Sequence, residues 1–297
     1  MSKDRLYFRQ LLSGRDFAVG DMFATQMRNF AYLIGDRTTG DCVVVDPAYA
    51  AGDLLDALES DDMQLSGVLV THHHPDHVGG SMMGFQLPGL AELLERASVP
   101  VHVNTHEALW VSRVTGIPVG DLITHEHGDK VSVGDIDIEL LHTPGHTPGS
   151  QCFLLDGRLV AGDTLFLEGC GRTDFPGGDS DEMYRSLRQL AELPGDPTVF
   201  PGHWYSAEPS ASLSEVKRSN YVYRPASLDQ WRMLRGGGRT GKPLPFRPGS
   251  SDVSSGASAN DSAASDQCPG ASGILSANFS VRCHCGISGW WIPWGGS

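Results

Sequence analysis

Cysteine is scarce in this chain of 297 residues: there are six, and Cys42, Cys152 and Cys170 stand singly and far apart. At that density a disulfide scaffold is excluded, and these three are expected to be free thiols of a cytoplasmic protein. Basic residues are also short, 22 Lys and Arg against 36 Asp and Glu, for a formal net charge of -14. Such a surface is not built to neutralise phosphates, so nucleic acid is not an expected partner. No apolar stretch reaches the roughly 20 residues that cross a bilayer. The opening Met1-Ser-Lys-Asp-Arg5 leads into a mixed run without the apolar centre of a secretory signal. Membrane association is therefore not expected either.

What the chain does have is a long alternation of strand-like and helix-like segments. β-branched or period-two runs predict strands over residues 6–12, 30–34, 42–46, 67–71, 99–103 and 135–141. Asp156-Gly157, between the runs 151–155 and 158–161, has the composition of a two-residue hairpin turn. Thr198-Val-Phe200 is the last strand. Helical spacing falls at 52–58 and 90–97, and again after Thr105, a candidate cap with Ala108, Leu109 and Val111 on the buried side. Ser180 is the expected cap of a helix over 181–193 whose Met183, Leu187 and Leu190 share one face. Two shorter helical stretches follow at 212–219 and 227–234. Strands and helices alternating in two halves predict one layered α/β domain over residues 1–235. From 236 to 297 the composition turns to Gly, Ser, Ala and Pro without periodicity, as in a disordered tail. Within it Cys283-His-Cys285 is too short to close a tetrahedral zinc site, and Trp290-Trp-Ile-Pro-Trp294 is read as a non-native extension or plain disorder rather than a short docking element.

One stretch breaks the pattern. Val68-Leu-Val-Thr71 reads as a buried strand, then gives way to His72-His-His-Pro-Asp-His77 and closes on Gly79-Gly80. Imidazoles and a carboxylate are costly to bury unless something satisfies them. A metal would, because both are ordinary ligands of zinc and iron. On an extended segment His72 and His74 point to the same side and His73 to the other. Pro75 stiffens the turn that carries Asp76 and His77.

Five other strand ends run into a potential ligand or a glycine turn: Asp46-Pro47, Asn104, His142-Thr-Pro-Gly-His146, Gly162-Asp163-Thr164 and Pro201-Gly202-His203. Sites in open α/β sheets gather outside the carboxyl ends of strands, so ligands distant in sequence can meet there. His72, His74 and His146 are assigned to one metal, Asp76, His77 and His203 to a second, and Asp163 to a bridge between them. His102, His106, His125, His127 and His142 are read as ordinary strand, helix and loop histidines.

At these residues the chain resembles the metallo-β-lactamase superfamily, whose signature is His-x-His-x-Asp-His followed by a distant His, Asp and His. The likeness covers roughly residues 5 to 235. It narrows to the glyoxalase II and persulfide dioxygenase branch through Thr143-Pro-Gly-His-Thr-Pro-Gly149, Gly162-Asp-Thr-Leu-Phe166, Gly169-Cys-Gly-Arg-Thr-Asp-Phe175 and Pro201-Gly-His203. The resemblance implies an αββα four-layer sandwich with the metal site at one edge of the two sheets. Two departures bear on substrate. Glyoxalase II proteins carry Lys-Phe-Tyr after the Gly-Cys-Gly, where this chain has Arg172-Thr-Asp-Phe175. They also carry a helical C-terminal domain with basic residues that hold glutathione, and the chain after Leu234 offers no counterpart. Arg172 and Tyr205 are the substrate-pocket candidates; the alternative for Arg172 is a structural pair with Asp174 or Asp179.

The expected function is hydrolysis of a thioester of a low-molecular-weight thiol, with two zinc ions, a metal-held hydroxide as nucleophile and Asp76 orienting it. A mononuclear iron persulfide dioxygenase is the alternative, since two His and one carboxylate, for example His72, His146 and Asp163, suffice for that iron. A non-catalytic binding module is a third reading, disfavoured because no ligand of the set is missing.

Overall fold

The computed structural model describes residues 5–235. The tail expected at 236–297, with its Cys283-His-Cys285 and tryptophan-rich end, lies outside the described residues. The first half runs β1 (Leu6–Leu12), α1 (Met22–Met27), β2 (Phe30–Asp36), β3 (Asp41–Val45), α2 (Ala51–Ser60), β4 (Gln64–Leu69) and α3 (Pro75–Val78). A small hairpin, β5 (Gly80–Met82) and β6 (Phe85–Leu87), leads to α4 (Leu90–Arg96), β7 (Val101–Asn104), α5 (Ala108–Thr115) and β8 (Leu122–His125). The second half runs β9 (Lys130–Val133), β10 (Ile136–His142), β11 (Gln151–Leu155), β12 (Arg158–Gly162), α6 (Ser180–Ala191) and β13 (Thr198–Pro201). It ends with β14 (Ala211–Ser212), α7 (Leu213–Ser219) and α8 (Leu228–Leu234).

Two six-stranded sheets result, ordered β1-β2-β3-β4-β7-β8 and β14-β13-β12-β11-β10-β9. Their alternating residues divide between two faces. Tyr32, Ile34, Val43 and Val45 of the first sheet meet Val133, Ile138, Leu140, Phe153 and Val160 of the second in the inner core. On its outer face the first sheet sends Leu11, Leu33 and Val44 against Leu54 and Leu58 of α2. Farther along, Val68, Val101 and Val103 meet Leu90, Leu93 and Val111 of α4 and α5. The second sheet packs Cys152, Leu159 and Val199 on Met183, Leu187 and Leu190 of α6. Each such buried aliphatic or aromatic side chain contributes about 1.5–3 kcal/mol relative to exposure. The layers are helix, sheet, sheet, helix. The fold is an αββα sandwich.

Two helix starts differ from expectation. Asp179, not Ser180, caps α6, accepting from the Asp181 and Glu182 amides, while the Ser180 carbonyl accepts the Trp231 indole N–H at 2.8 Å. Glu107, not Thr105, occupies the cap position of α5; the Thr105 hydroxyl donates to His125 O at 3.2 Å instead. Leu109 is consequently 52% exposed, because the buried face of so short a helix is set by Ala108 and Val111. Among the described residues no helix is long and apolar enough to cross a membrane.

Strand direction gathers the chemistry at one end. β3, β4 and β7 are parallel neighbours, so the residues after them lie side by side at one sheet edge. β12 and β13 are likewise parallel, which sets Asp163 beside His203. Two backbone clamps join the sheets at this edge. On one flank the Gln151 amide donates to Thr71 O at 3.0 Å; on the other Phe30 N donates to Gly202 O at 2.8 Å and Trp204 N to Arg28 O at 2.9 Å.

Candidate metal centre

Thr71 lies two residues past the end of β4, and Pro75 opens α3, a single turn that carries Asp76 and His77 inward. His72, His77, His146 and His203 are 1–3% exposed, and Asp76 and Asp163 are 8% and 9% exposed. The ligand atoms of His72, His74 and His146 form one trio, all within 4.8 Å of one another, and those of Asp76, His77 and His203 form a second. Asp163 lies between them. Its Oδ2 is 3.6 Å from His146 Nε2 and 3.4 Å from His203 Nε2, and its Oδ1 is 3.5 Å from His77 Nε2. The structure thus brings together all seven of the expected positions.

The outward nitrogens of these rings are engaged. His77 Nδ1 donates to Asp46 Oδ2 at 2.9 Å, His203 Nδ1 to Met27 O at 2.8 Å, His146 Nδ1 to Arg172 O at 2.6 Å and His72 Nδ1 to Thr71 Oγ1 at 3.0 Å. Outer acceptors of this kind set the tautomer and leave the Nε2 lone pair facing inward. The inward atoms then confront one another: His72 Nε2 is 3.1 Å from His74 Nδ1, and His77 Nε2 is 3.2 Å from His203 Nε2. His146 Nε2 and Asp163 Oδ1 are buried with no hydrogen-bond partner. An orphaned buried polar atom costs about 1–3 kcal/mol, so this is an arrangement a cation satisfies.

Proton affinities tell the same story. Burial alone would lower the His77 pKa, but Asp76, Asp163 and Asp46 outweigh it and hold it up at about 10. His203 is raised against its burial by Asp163 and Asp76. His74, by contrast, is lowered to about 3 by burial and by the neighbouring imidazoles His146 and His73. Burial would raise the Asp163 carboxyl, yet the His203, His77 and His146 rings around it pull it far below the usual carboxylate range. The carboxylates draw positive charge to the Asp76, His77 and His203 side, and a divalent ion supplies it without a proton. The residues present fit a metal pair.

Glycines permit the close packing. A Cβ on Gly202 would stand 2.4 Å from Asp163 Oδ1, and one on Gly171 would stand 2.1 Å from Asp163 O and 3.0 Å from the His146 ring.

Sequence reasoning missed several members of the surround. Asn29 directs its amide at Asp76 Oδ2 (3.1 Å), His77 Nε2 (3.3 Å) and His203 Nε2 (3.4 Å), while its carbonyl accepts the Tyr49 hydroxyl at 2.9 Å. Glu107, 1% exposed, joins two ligand-bearing loops. Its Oε1 accepts from His73 N at 2.8 Å and from the His73 ring at 2.5 Å, and its Oε2 accepts from Gly149 N at 2.7 Å. His73 therefore points away from the cluster and stacks on Trp110 at 5.0 Å. Asp46 ties β3 to β4 by accepting the Thr71 amide and hydroxyl at 2.8 and 2.6 Å. The sequence marks Asp46 as a strand-end candidate, and the structure gives it this supporting place outside the two trios.

At the mouth, Phe175 stands edge-on to His74 at 5.3 Å and His146 at 6.1 Å. Tyr205, about half exposed at 51%, stacks on His203 at 4.7 Å. The Arg172 guanidinium pairs with Asp174 at 2.7 Å and lies over Phe175 at 4.5 Å. It is the Arg172 carbonyl, not its charge, that touches the centre. The remaining histidines stay apart: His102 pairs with His125 at 2.9 Å, and His106 stacks on His142 at 5.1 Å.

A family model described as the metallo-beta-lactamase superfamily matches residues 24–203. The chain belongs to that superfamily. Among its relatives, the hydroxyacylglutathione hydrolase of Rhizobium meliloti is 36% identical over 216 residues, 71% of this chain and 77% of the relative. The crystal structure of ETHE1 from Myxococcus xanthus is 32% identical with a TM-score of 0.62, covering 77% of this chain and 89% of that one. TTHA1623, solved in a di-iron-bound form, is 28% identical with a TM-score of 0.53, covering 66% of this chain and 95% of that one. Within the metallo-β-lactamase superfamily the chain sits with the glyoxalase II-like proteins.

Proposed function

We propose that the chain is a metal-dependent hydrolase of small thioesters, in which His72, His74, His146, Asp76, His77 and His203 would hold two ions and Asp163, set between the trios, would serve both. The observation that carries this reading is the pair of trios joined by Asp163, with bare nitrogens facing one another and two buried atoms unpartnered. When bound, a divalent pair of this kind lowers the pKa of a water and polarises a carbonyl. The protein's own groups supply the rest. Asp76, steadied by the Asn29 amide, is placed to accept a proton from an attacking water and to orient it. The Tyr205 phenol, half-exposed beside His203, is an O–H donor to the substrate at the mouth. Phe175 walls the other side of that mouth. Arg172 enters chiefly through its carbonyl, which fixes the His146 ring. A thiol leaving group has an ordinary pKa near 8.5 and needs little protonation to depart. The likeness to hydroxyacylglutathione hydrolase supports a thioester of a small thiol as substrate.

Zinc suits this imidazole and carboxylate set. A second reading, oxidation of a thiol persulfide at mononuclear iron, is left open by the likeness to ETHE1 and favoured by the Arg172-Thr-Asp-Phe175 run. Thioester hydrolysis and oxygen uptake on a persulfide, measured on protein of known metal content, separate them. Iron with oxygen uptake and no hydrolysis rejects the hydrolase.

A further inference from the structure

Arg28 occupies an unusual place at the mouth. It lies between Met27, whose carbonyl accepts from His203 Nδ1 at 2.8 Å, and Asn29, whose amide faces Asp76, His77 and His203. It caps the C-terminus of α1 in the left-handed region, with φ 57 and ψ 42, where glycine is the undemanding choice. A bulky residue kept in a strained conformation beside a site points to a use for its side chain. Arg28 is exposed, and its guanidinium lies 4.8 Å above the ring of Trp204, the residue between His203 and Tyr205.

Several arginines in this acidic chain are closed on a carboxylate. Arg5, Arg9, Arg15 and Arg172 each hold an aspartate within 2.7 Å. Arg15 shares the Trp204 ring with Arg28 at 5.4 Å, but its charge is spent on Asp16. Arg28 has no carboxylate within ion-pair distance among the described residues. An arginine stacked on an indole keeps its edge N–H donors free and pre-aligned, the geometry that grips a carboxylate with two parallel hydrogen bonds.

We propose that Arg28, seated on Trp204, forms an anion subsite beside the metal centre, and that the enzyme's thioester substrates carry a carboxylate that binds there. The subsite rests on the thioester reading above and refines it. It puts substrate charge recognition on the α1 end of the mouth, away from Arg172, whose fork is already closed on Asp174.

The test uses three small thioesters matched in size: one with a carboxylate on the thiol part, one with it on the acyl part and one neutral. In the native protein, kcat/KM should favour one of the two acids over the neutral compound. The ratio should fall about tenfold in Arg28→Gln through KM, with kcat changed little, and should be largely restored in Arg28→Lys. Raising the ionic strength should erode the same preference. Which acid responds tells which end of the substrate meets Arg28. A second measurement does not depend on turnover: calorimetric titration with the S-methyl thioether of the carboxylate-bearing thiol, which should bind the native protein about tenfold more tightly than Arg28→Gln. If the native protein hydrolyses none of the thioesters, the thioester reading fails while this titration still judges the subsite. Equal ratios in native and Arg28→Gln proteins, or equal thioether affinities, overturn the proposal. A parallel loss of kcat on all three thioesters, unrescued by lysine, overturns it as well, by making Arg28 a structural support of Trp204.

Discussion

Replacing Asp46 with asparagine tests how the second trio is held. The carboxylate accepts three hydrogen bonds: the Thr71 amide at 2.8 Å on Oδ1, and the Thr71 hydroxyl at 2.6 Å and His77 Nδ1 at 2.9 Å on Oδ2. Asparagine matches the shape but has one acceptor oxygen. If that oxygen takes the Oδ2 place, the new amide meets the Thr71 N–H; in the other orientation it meets the imidazole N–H. Either way at least one buried donor loses its acceptor, at about 1–3 kcal/mol. Loss of the outer partner of a ligating imidazole typically costs 10–100-fold in metal affinity, which is about 1.4–2.7 kcal/mol. The expected result is a folded Asp46→Asn variant whose urea unfolding free energy drops by about 1–3 kcal/mol. One metal equivalent should weaken by 10–100-fold, read by competition with a chromophoric chelator. The equivalent at His72, His74 and His146 should change much less. A folded variant that binds both equivalents as tightly as the native protein would refute the role given to Asp46.

Glu107→Gln should destabilise by about 1–3 kcal/mol, because an amide in place of the carboxylate sets a donor against either Gly149 N or the His73 N–H groups. Denaturant titration checks this, and an unchanged midpoint and slope would show that the two loops do not depend on it. Tyr205→Phe should raise KM for a thioester by about tenfold with a smaller change in kcat, as expected for one lost hydrogen bond at the mouth; a kcat collapse at constant KM would place the phenol in the chemical step instead. Arg5 beside the fully buried Asp36 side chain, helped by the Asp135 and Thr38 amides, holds its carboxyl well below the usual range. A carboxylate with a depressed folded pKa stabilises fully above its unfolded value near 4 and loses that contribution as pH falls toward the folded one. Asp36→Asn should therefore be less stable than the native protein at pH 7, and the gap should narrow below about pH 4; a gap that widened on acidification would contradict the sign.

Much of this molecule can be read in its residues, for identifiable reasons. The strand over 6–12 and the hairpin about Asp156-Gly157 announce themselves because period two and a two-residue turn are local signals. Asp156 and Gly157 do take positive φ, 39 and 71. The His72 to His77 cluster is legible because no apolar core tolerates it unsatisfied. Short pieces were not: α1, β8 and β9 span four to six residues and carry little periodicity of their own. Asn29 and Glu107 were invisible for a different reason. Each is an ordinary polar residue whose meaning comes from what the fold sets against it, and those partners are 47 and 34 positions away. Arg172 is the reverse case, where a motif drew notice to a side chain whose charge the structure closes on Asp174.

The most direct test of the central claim is a titration of metal-free protein with zinc, following thioester hydrolysis against metal bound per chain. Seven residues in two trios with a shared aspartate predict no turnover without metal and activity that levels off at two bound ions. Full turnover in the metal-free protein, or two tightly bound ions with no thioester hydrolysed, would contradict it.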